Sequence, residues 1–211
     1  MGLALHNYHS ANDCMPAAYL PDRFGRPNDS WRMALLPYME RVNDFNQINF
    51  AVSWDAAENS TIVGTRIVNF LRPEESDSAG PPITKFLAVT GPTTPFHGPV
   101  NLKFDDLKDG LPYTIMFGEV AESDIRWAEP RDLRLDSMTF VVNGPRKKMG
   151  YGSPYGGARV GLMDGAVRTL KNGMSPAVLR ALVTANGGET VEGQGPDWQL
   201  GAAKESGILE R

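Results

Sequence analysis

Apolar and polar positions alternate most regularly between Ala158 and Leu170. Val160 and Leu162 share one side of an extended run, and Val167 and Thr169 share one side of the next. Asp164-Gly165 lies between them, a pair that tolerates the positive φ angles of a two-residue hairpin turn. Gly156-Gly157 marks a sharp approach where a side chain would obstruct the backbone. A lone hairpin is marginal in water, so the pattern predicts this ribbon as the inner part of a larger sheet. Arg159, Arg168 and Lys171 are then expected at its ends or in water.

Helical spacing is clearest after the hairpin. Ser175 is a natural N-cap, Pro176 suits the first helical position, and Asn186-Gly187 supplies a stop. Val178, Leu179, Leu182 and Val183 form the stripe to be buried. Gly2 to Asn12 also reads as helix, with Leu3, Asn7, Tyr8 and Ala11 on one face, Ala4 and Leu5 alongside, and His6 and His9 three apart. It has no N-cap before it, as the tail of a longer helix would not.

Pro16 to Asn28 reads as a turn-rich connection. Asp29 or Ser30 can cap an amphipathic Trp31–Val42 segment, which Pro37 must begin or kink. Glu58 to Thr65 suits a short helix. Strands are expected at Ile67–Leu71, Lys85–Thr90, Tyr113–Ala121 and Met138–Val142. Between them lie exposed loops at Glu74–Pro82, at 91–99 with His97, and over the acidic stretch Asp124–Asp136. From Gly188 the chain turns polar and glycine-rich. Trp198 is expected to dock on the body, and the last dozen residues to be mobile.

The 211 residues, 41% apolar, suit one domain with a sizeable core. The 22 glycines and 16 prolines favour short elements and turns over a helical bundle. A formal charge of -4 with interspersed signs gives no electrostatic case for nucleic acid. Cys14 is the only cysteine, so no intrachain disulfide forms. Neither a continuous membrane span nor a signal peptide is visible.

Candidate chemistry is sparse. Glu119, Glu122, Asp124, Glu129, Asp132 and Asp136 read as a solvated acidic loop rather than a glycosidase pair. Asp105, Asp106 and Asp109 are oxygen ligands of the kind calcium prefers, at a spacing unlike the EF-hand loop. No nucleophile elbow, P-loop or dinucleotide fingerprint occurs. No catalytic residue is therefore assigned.

Several runs together resemble a bacterial family of prepilin-type proteins, also catalogued as solute-binding protein family ten. Gly2-Leu3-Ala4-Leu5-His6-Asn7-Tyr8-His9 resembles its "GLALHNYH" run, and Ser30-Trp31-Arg32 with Leu35-Leu36-Pro37-Tyr38 its "SWR…LLPY" block. Thr65-Arg66-Ile67 with Phe70-Leu71 and Pro73, Val89-Thr90-Gly91-Pro92, and Trp127 with Glu129-Pro130 match further blocks. The motif of Gly156, Gly157, Asp164 and Gly165 resembles "HPGGANVLFADGSVRFL". Arg72 stands where that family usually has cysteine, and Pro154-Tyr155 where it has His-Pro.

The resemblance implies an α+β, pilin-like fold, with an N-terminal helix packed on an antiparallel β-sheet, additional short helices and long loops. Residues 1–14 would be the C-terminal part of a pilin-type helix, 15–190 the head, and 191–211 a polar tail. It implies a non-enzymatic structural protein outside the cytoplasmic membrane, anchored by an upstream helix and partnered by like subunits. The alternative is an extracytoplasmic module binding a sugar, peptide or metal ion. Its pocket would lie among loops Thr90–Pro99 and Ser123–Asp132, with Trp127 as stacking anchor and His97 beside it.

Overall fold

The computed structural model describes residues 1–75, 79–193, 195 and 197–201. It shows an α+β fold with antiparallel sheets and a few short helices. In chain order the elements are α1 (Gly2–Asn12), β1 (Tyr19–Pro21), β2 (Pro27–Ser30), α2 (Trp31–Ala34), α3 (Val42–Phe45) and α4 (Ser60–Val63). There follow β3 (Phe86–Leu87), β4 (Val89–Thr90), β5 (Ile115–Glu119), β6 (Leu133–Arg134), β7 (Ala158–Leu162) and β8 (Val167–Leu170). The last are α5 (Pro176–Val183), β9 (Val191–Glu192) and β10 (Gln199–Leu200).

The central sheet has four strands in the order β3-β5-β7-β8, all antiparallel. The hairpin read from sequence supplies β7 and β8, but only β7 is internal and β8 is an edge. Its loop has three residues, Met163–Gly165, rather than two: Leu162 pairs with Ala166 and Gly165 takes φ 86°. Asp164 Oδ1 accepts from the Ala166 amide at 2.9 Å, and Gly165 fills the left-handed position that closes such a loop. Gly156 and Gly157 are also at positive φ, where a side chain would be strained. The edge explains why Val167 is 66% exposed while Leu170 is buried.

β5 is buried along its whole length and carries a bulge between Ile115 and Phe117. The extra residue breaks strict alternation, so Met116 and Phe117 both enter one apolar cluster while Ile115 enters the other. The cluster around Ile115 also takes Val160, Leu162 and Leu170 together with Val178, Leu179, Leu182 and Val183 of α5. The other gathers Met116, Phe117 and Met163 with Ala4 and Leu5 of α1 and with Trp31 and Trp127. The sheet is therefore covered on both faces. Gly118 makes room for this, because a Cβ there would lie 2.5 Å from the Tyr151 ring. Gly118→Ala should cost about 1–3 kcal/mol by overpacking, read as a lower urea midpoint with unchanged slope.

Helix α1 keeps the expected bounds, but its buried residues are Ala4 and Leu5. Leu3 is 75% exposed and Ala11 faces solvent, so the apolar face is turned from the one expected. Tyr8 meets Tyr38 edge-on at 5.6 Å, and His9 stacks on Phe104 at 3.9 Å. α5 has the expected stripe and Pro176 at its start, and it ends at Val183, before Asn186-Gly187.

Other expectations change. Pro16–Asn28 contains half of a hairpin, since Tyr19 pairs with Ser30 and Leu20 with Asp29. Trp31–Val42 breaks into α2 and a 3-10 turn at Leu36–Met39, because Pro37 has no amide to continue an α-helix. Ile67–Leu71 is a 3-10 turn over Val68–Phe70 rather than a strand, with Val68 exposed and the Phe70 carbonyl accepting a single backbone bond from Lys85 at 2.8 Å. Lys85–Thr90 splits into β3 and β4, which join different sheets, β4 lying parallel to β6. Met138–Val142 carries no strand. Val191–Glu192 and Gln199–Leu200 pair antiparallel as β9 and β10, and Val191 and Trp198 reach the core, so these parts of the expected tail are ordered. Residues 202–211, in the stretch expected to be mobile, lie outside the described residues, as do 76–78 of the Glu74–Pro82 loop.

Candidate functional site

Two of the six acidic residues read as solvated are buried. Asp132 is 1% exposed at its side chain and pairs with Arg32, itself fully buried. Ser30 positions this arginine by capping α2, accepting from the Arg32 amide at 3.2 Å and from Nη1 at 2.8 Å. Arg32 Nη2 donates to Asp132 Oδ1, as does the Ala88 amide at 2.8 Å, while Trp31 Nε1 donates to Oδ2 at 3.0 Å. Burial raises the Asp132 carboxyl above its ordinary value, against the downward pull of Arg32 and the other donors. The residue thereby joins α2, Ala88 between β3 and β4, and the Pro130–Leu133 segment through one carboxylate.

Glu119, at the end of β5, is the second buried carboxylate. Its Oε1 accepts from Arg72 Nε at 2.6 Å and from Ser153 Oγ at 2.8 Å. Its Oε2 accepts from the Arg159 amide at 3.3 Å and from Arg159 Nε at 3.2 Å. Arg72 also donates to Glu75 and to the Val120 and Ala121 carbonyls, and Arg159 reaches Glu74 at 3.1 Å. Ser153 beside a carboxylate has the form of a nucleophile with a base. Both oxygens of that carboxylate are already taken up by the guanidiniums of Arg72 and Arg159, and Ser153 is itself buried. The cluster is built to clamp chain segments together.

Over the Asp132 side lies a concavity of about 700 Å³. Its walls come from Tyr19 and Pro27 of the first hairpin, from Thr90, Gly91, Pro92 and Gly98, and from Pro130 to Arg134 with Asp136 to Met138. Lys148 and Arg131 stand at the rim, sharing Asp124 at 3.1 and 3.3 Å, and Arg134 pairs with Asp136 at 2.5 Å. Such exposed pairs cost little to exchange for a ligand's charges.

The residues assigned from sequence fall differently. Trp127 is 1% exposed, donates from Nε1 to the Thr65 carbonyl at 2.9 Å and stacks on Phe70, so the core takes the ring expected to meet ligand. His97 is exposed in its loop and does not line the groove. Asp105 and Asp106 are exposed on a 3-10 turn, and Asp106 accepts from the Lys103 amide. Asp109 points elsewhere, accepting from the Gly187 and Gly188 amides at 2.8 and 3.1 Å to fasten the segment after α5. Among the described residues no three His, Cys, Asp or Glu side chains gather as a metal group. Gly156, Gly157, Asp164 and Gly165 shape the hairpin and carry no ligand chemistry.

Sequence reasoning missed Arg32, Asp132, Arg72, Glu119 and Ser153. The available signal was placement: Arg32 lies between Trp31 and Met33, and Glu119 ends an otherwise apolar strand before Val120. A charge inside an apolar run demands a buried partner.

Among the described residues no helix is long and apolar enough to cross a membrane. No curated protein and no solved structure matches the chain. A family model does match, over residues 1–141, and its description is "Protein of unknown function (DUF1559)". The chain belongs to that family, SBP_bac_10.

Proposed function

We propose that this chain is the head of a pilin- or pseudopilin-like structural protein, non-enzymatic and held outside the cytoplasmic membrane by an apolar helix continuous with α1. The observation that carries this reading is the one-sided seating of α1. Ala4 and Leu5 enter the cluster beneath the sheet, while Leu3, Asn7, Ser10 and Ala11 stay open along the helix. A helix so placed is anchored to its head and still offers a face to like subunits. The buried Arg–carboxylate clusters support the same reading, since their polar groups hold chain segments to one another.

A photo-crosslinking residue in place of Leu3, in the protein expressed in its native cells, should capture another copy or another pilin-type protein. Capture of neither would contradict the proposal.

The groove favours a second reading, a binding module for a sugar, peptide or metal ion. Its volume is that of a ligand site, and its walls include Thr90, Gly91, Pro92 and Gly98 from one expected loop and Pro130–Asp132 from the other. Thermal-shift screening with sugars, short peptides and divalent ions including calcium tests it, because a bound ligand stabilises the fold by mass action. A saturable shift that Arg131→Ala and Lys148→Ala reduce would support this reading, and the absence of any shift would remove it.

A further inference from the structure

Once Ser30 serves as the cap of α2, its neighbour Asp29 is left without that role. Asp29 is 2% exposed, yet its carboxylate is only half satisfied. Oδ2 accepts from Asn28 Nδ2 at 2.8 Å, and Oδ1 is buried with no hydrogen-bond partner. Folded proteins rarely bury a carboxylate oxygen without a donor, because desolvation then goes uncompensated. Burial accordingly pushes the carboxyl up to about 6, against the weaker pull of Asn28.

Asp29 lines a pocket of about 470 Å³ between the β1–β2 hairpin and residues 50–53. Leu20, Phe24, Phe50 and Val52 make much of its wall apolar. The charged side chains sharing that wall are Asp22, Arg23 and Arg26. Asp22 is already engaged, accepting from the Phe24 and Arg26 amides and from Arg26 Nε at 2.8, 2.9 and 2.8 Å. Arg23 and Arg26 lie over the Phe24 ring at 4.7 and 5.2 Å, so this aromatic wall already accommodates cations. None of these groups donates to Asp29 Oδ1.

We propose that this pocket binds a primary alkylammonium group, its nitrogen donating to Asp29 Oδ1 and its methylene stem lying along Phe24 and Phe50. The free amine and the side chain of a lysine present the same chemistry. The site is separate from the groove and independent of the pilin-like reading.

The unliganded carboxylate has its own signature. Its folded pKa lies above the ordinary one, so the fold binds the proton more tightly and loses stability as pH rises through about 4 to 6. Asp29→Asn should therefore raise Tm at about pH 8 and leave it nearly unchanged at about pH 4.

Binding is tested by titrating the whole chain at about pH 8 with n-butylamine, Nα-acetyl-lysine amide, n-butanol and butyrate, followed by amide NMR shifts. Both amines should bind saturably with shifts centred on the first hairpin, and the alcohol and acid should not. If only one amine binds, the result distinguishes free amine from lysine as the source and still supports the site. Asp29→Asn should weaken amine binding about tenfold or more. Phe24→Ala, which keeps the carboxylate, should weaken it less and supplies a second test should Asp29→Asn misfold. Equal binding of butanol or butyrate, undiminished affinity in both variants, or no binding of either amine would overturn the proposal.

Discussion

Asp132→Ala should destabilise the fold by about 3–5 kcal/mol, a large share of the roughly 5–15 kcal/mol that holds a typical domain. The loss does not come from the pair's attraction, which desolvation largely offsets. It comes from what remains: Arg32, fully buried, would keep its charge and lose its counterion, and the Ala88 amide and Trp31 Nε1 would lose their acceptor. Replacing both partners together, as Arg32→Met with Asp132→Leu, should recover most of the loss, because no lone charge is left inside. Urea unfolding followed by tryptophan fluorescence reads both variants. A double variant as unstable as Asp132→Ala would show that the pair itself, rather than the stranded charge, stabilises the fold.

Glu119→Ala has the second-largest expected effect, about 3–5 kcal/mol by the same argument. Arg72 would keep Glu75 and two carbonyls, and Arg159 would keep Glu74, so the cost should fall at the lower end. The rim offers a contrast. Arg134→Ala breaks a pair exposed on both sides and should change stability by less than about 1 kcal/mol. Equal losses from Glu119→Ala and Arg134→Ala would contradict the assignment of the interior clamps.

These clamps are also what the sequence conceals. Helix α1, helix α5 and the β7–β8 hairpin are legible because each carries its own periodicity or punctuation within a dozen residues. The partners in the clamps are 100 residues apart for Arg32 and Asp132 and 47 apart for Arg72 and Glu119. Locally, Asp132 looks like any acid in a polar loop. Ile67–Leu71 and Met138–Val142 have strand-like composition, but each meets its neighbour only through isolated backbone bonds, Lys85 to Phe70 in one case and Thr139 to Met149 in the other, and composition cannot supply a ladder. The first hairpin was hidden for the opposite reason: its strands, Tyr19–Pro21 and Pro27–Ser30, carry prolines and polar residues that read as turn. The groove joins walls from three separate stretches, so no single one announces it.

Arg72 shows how a departure from a resembled pattern becomes structure. Where the resemblance read from the sequence implies a cysteine, this chain places a buried guanidinium bonded to β5 and to the residues after it.

The most direct measurement of the central functional claim is fractionation of native cells expressing the gene with its own upstream sequence, combined with protease added from outside the cytoplasmic membrane. The account predicts that the protein sediments with membranes and that its head is reached by the protease. A protein recovered in the soluble cytosolic fraction, protected until the cells are lysed, would contradict it.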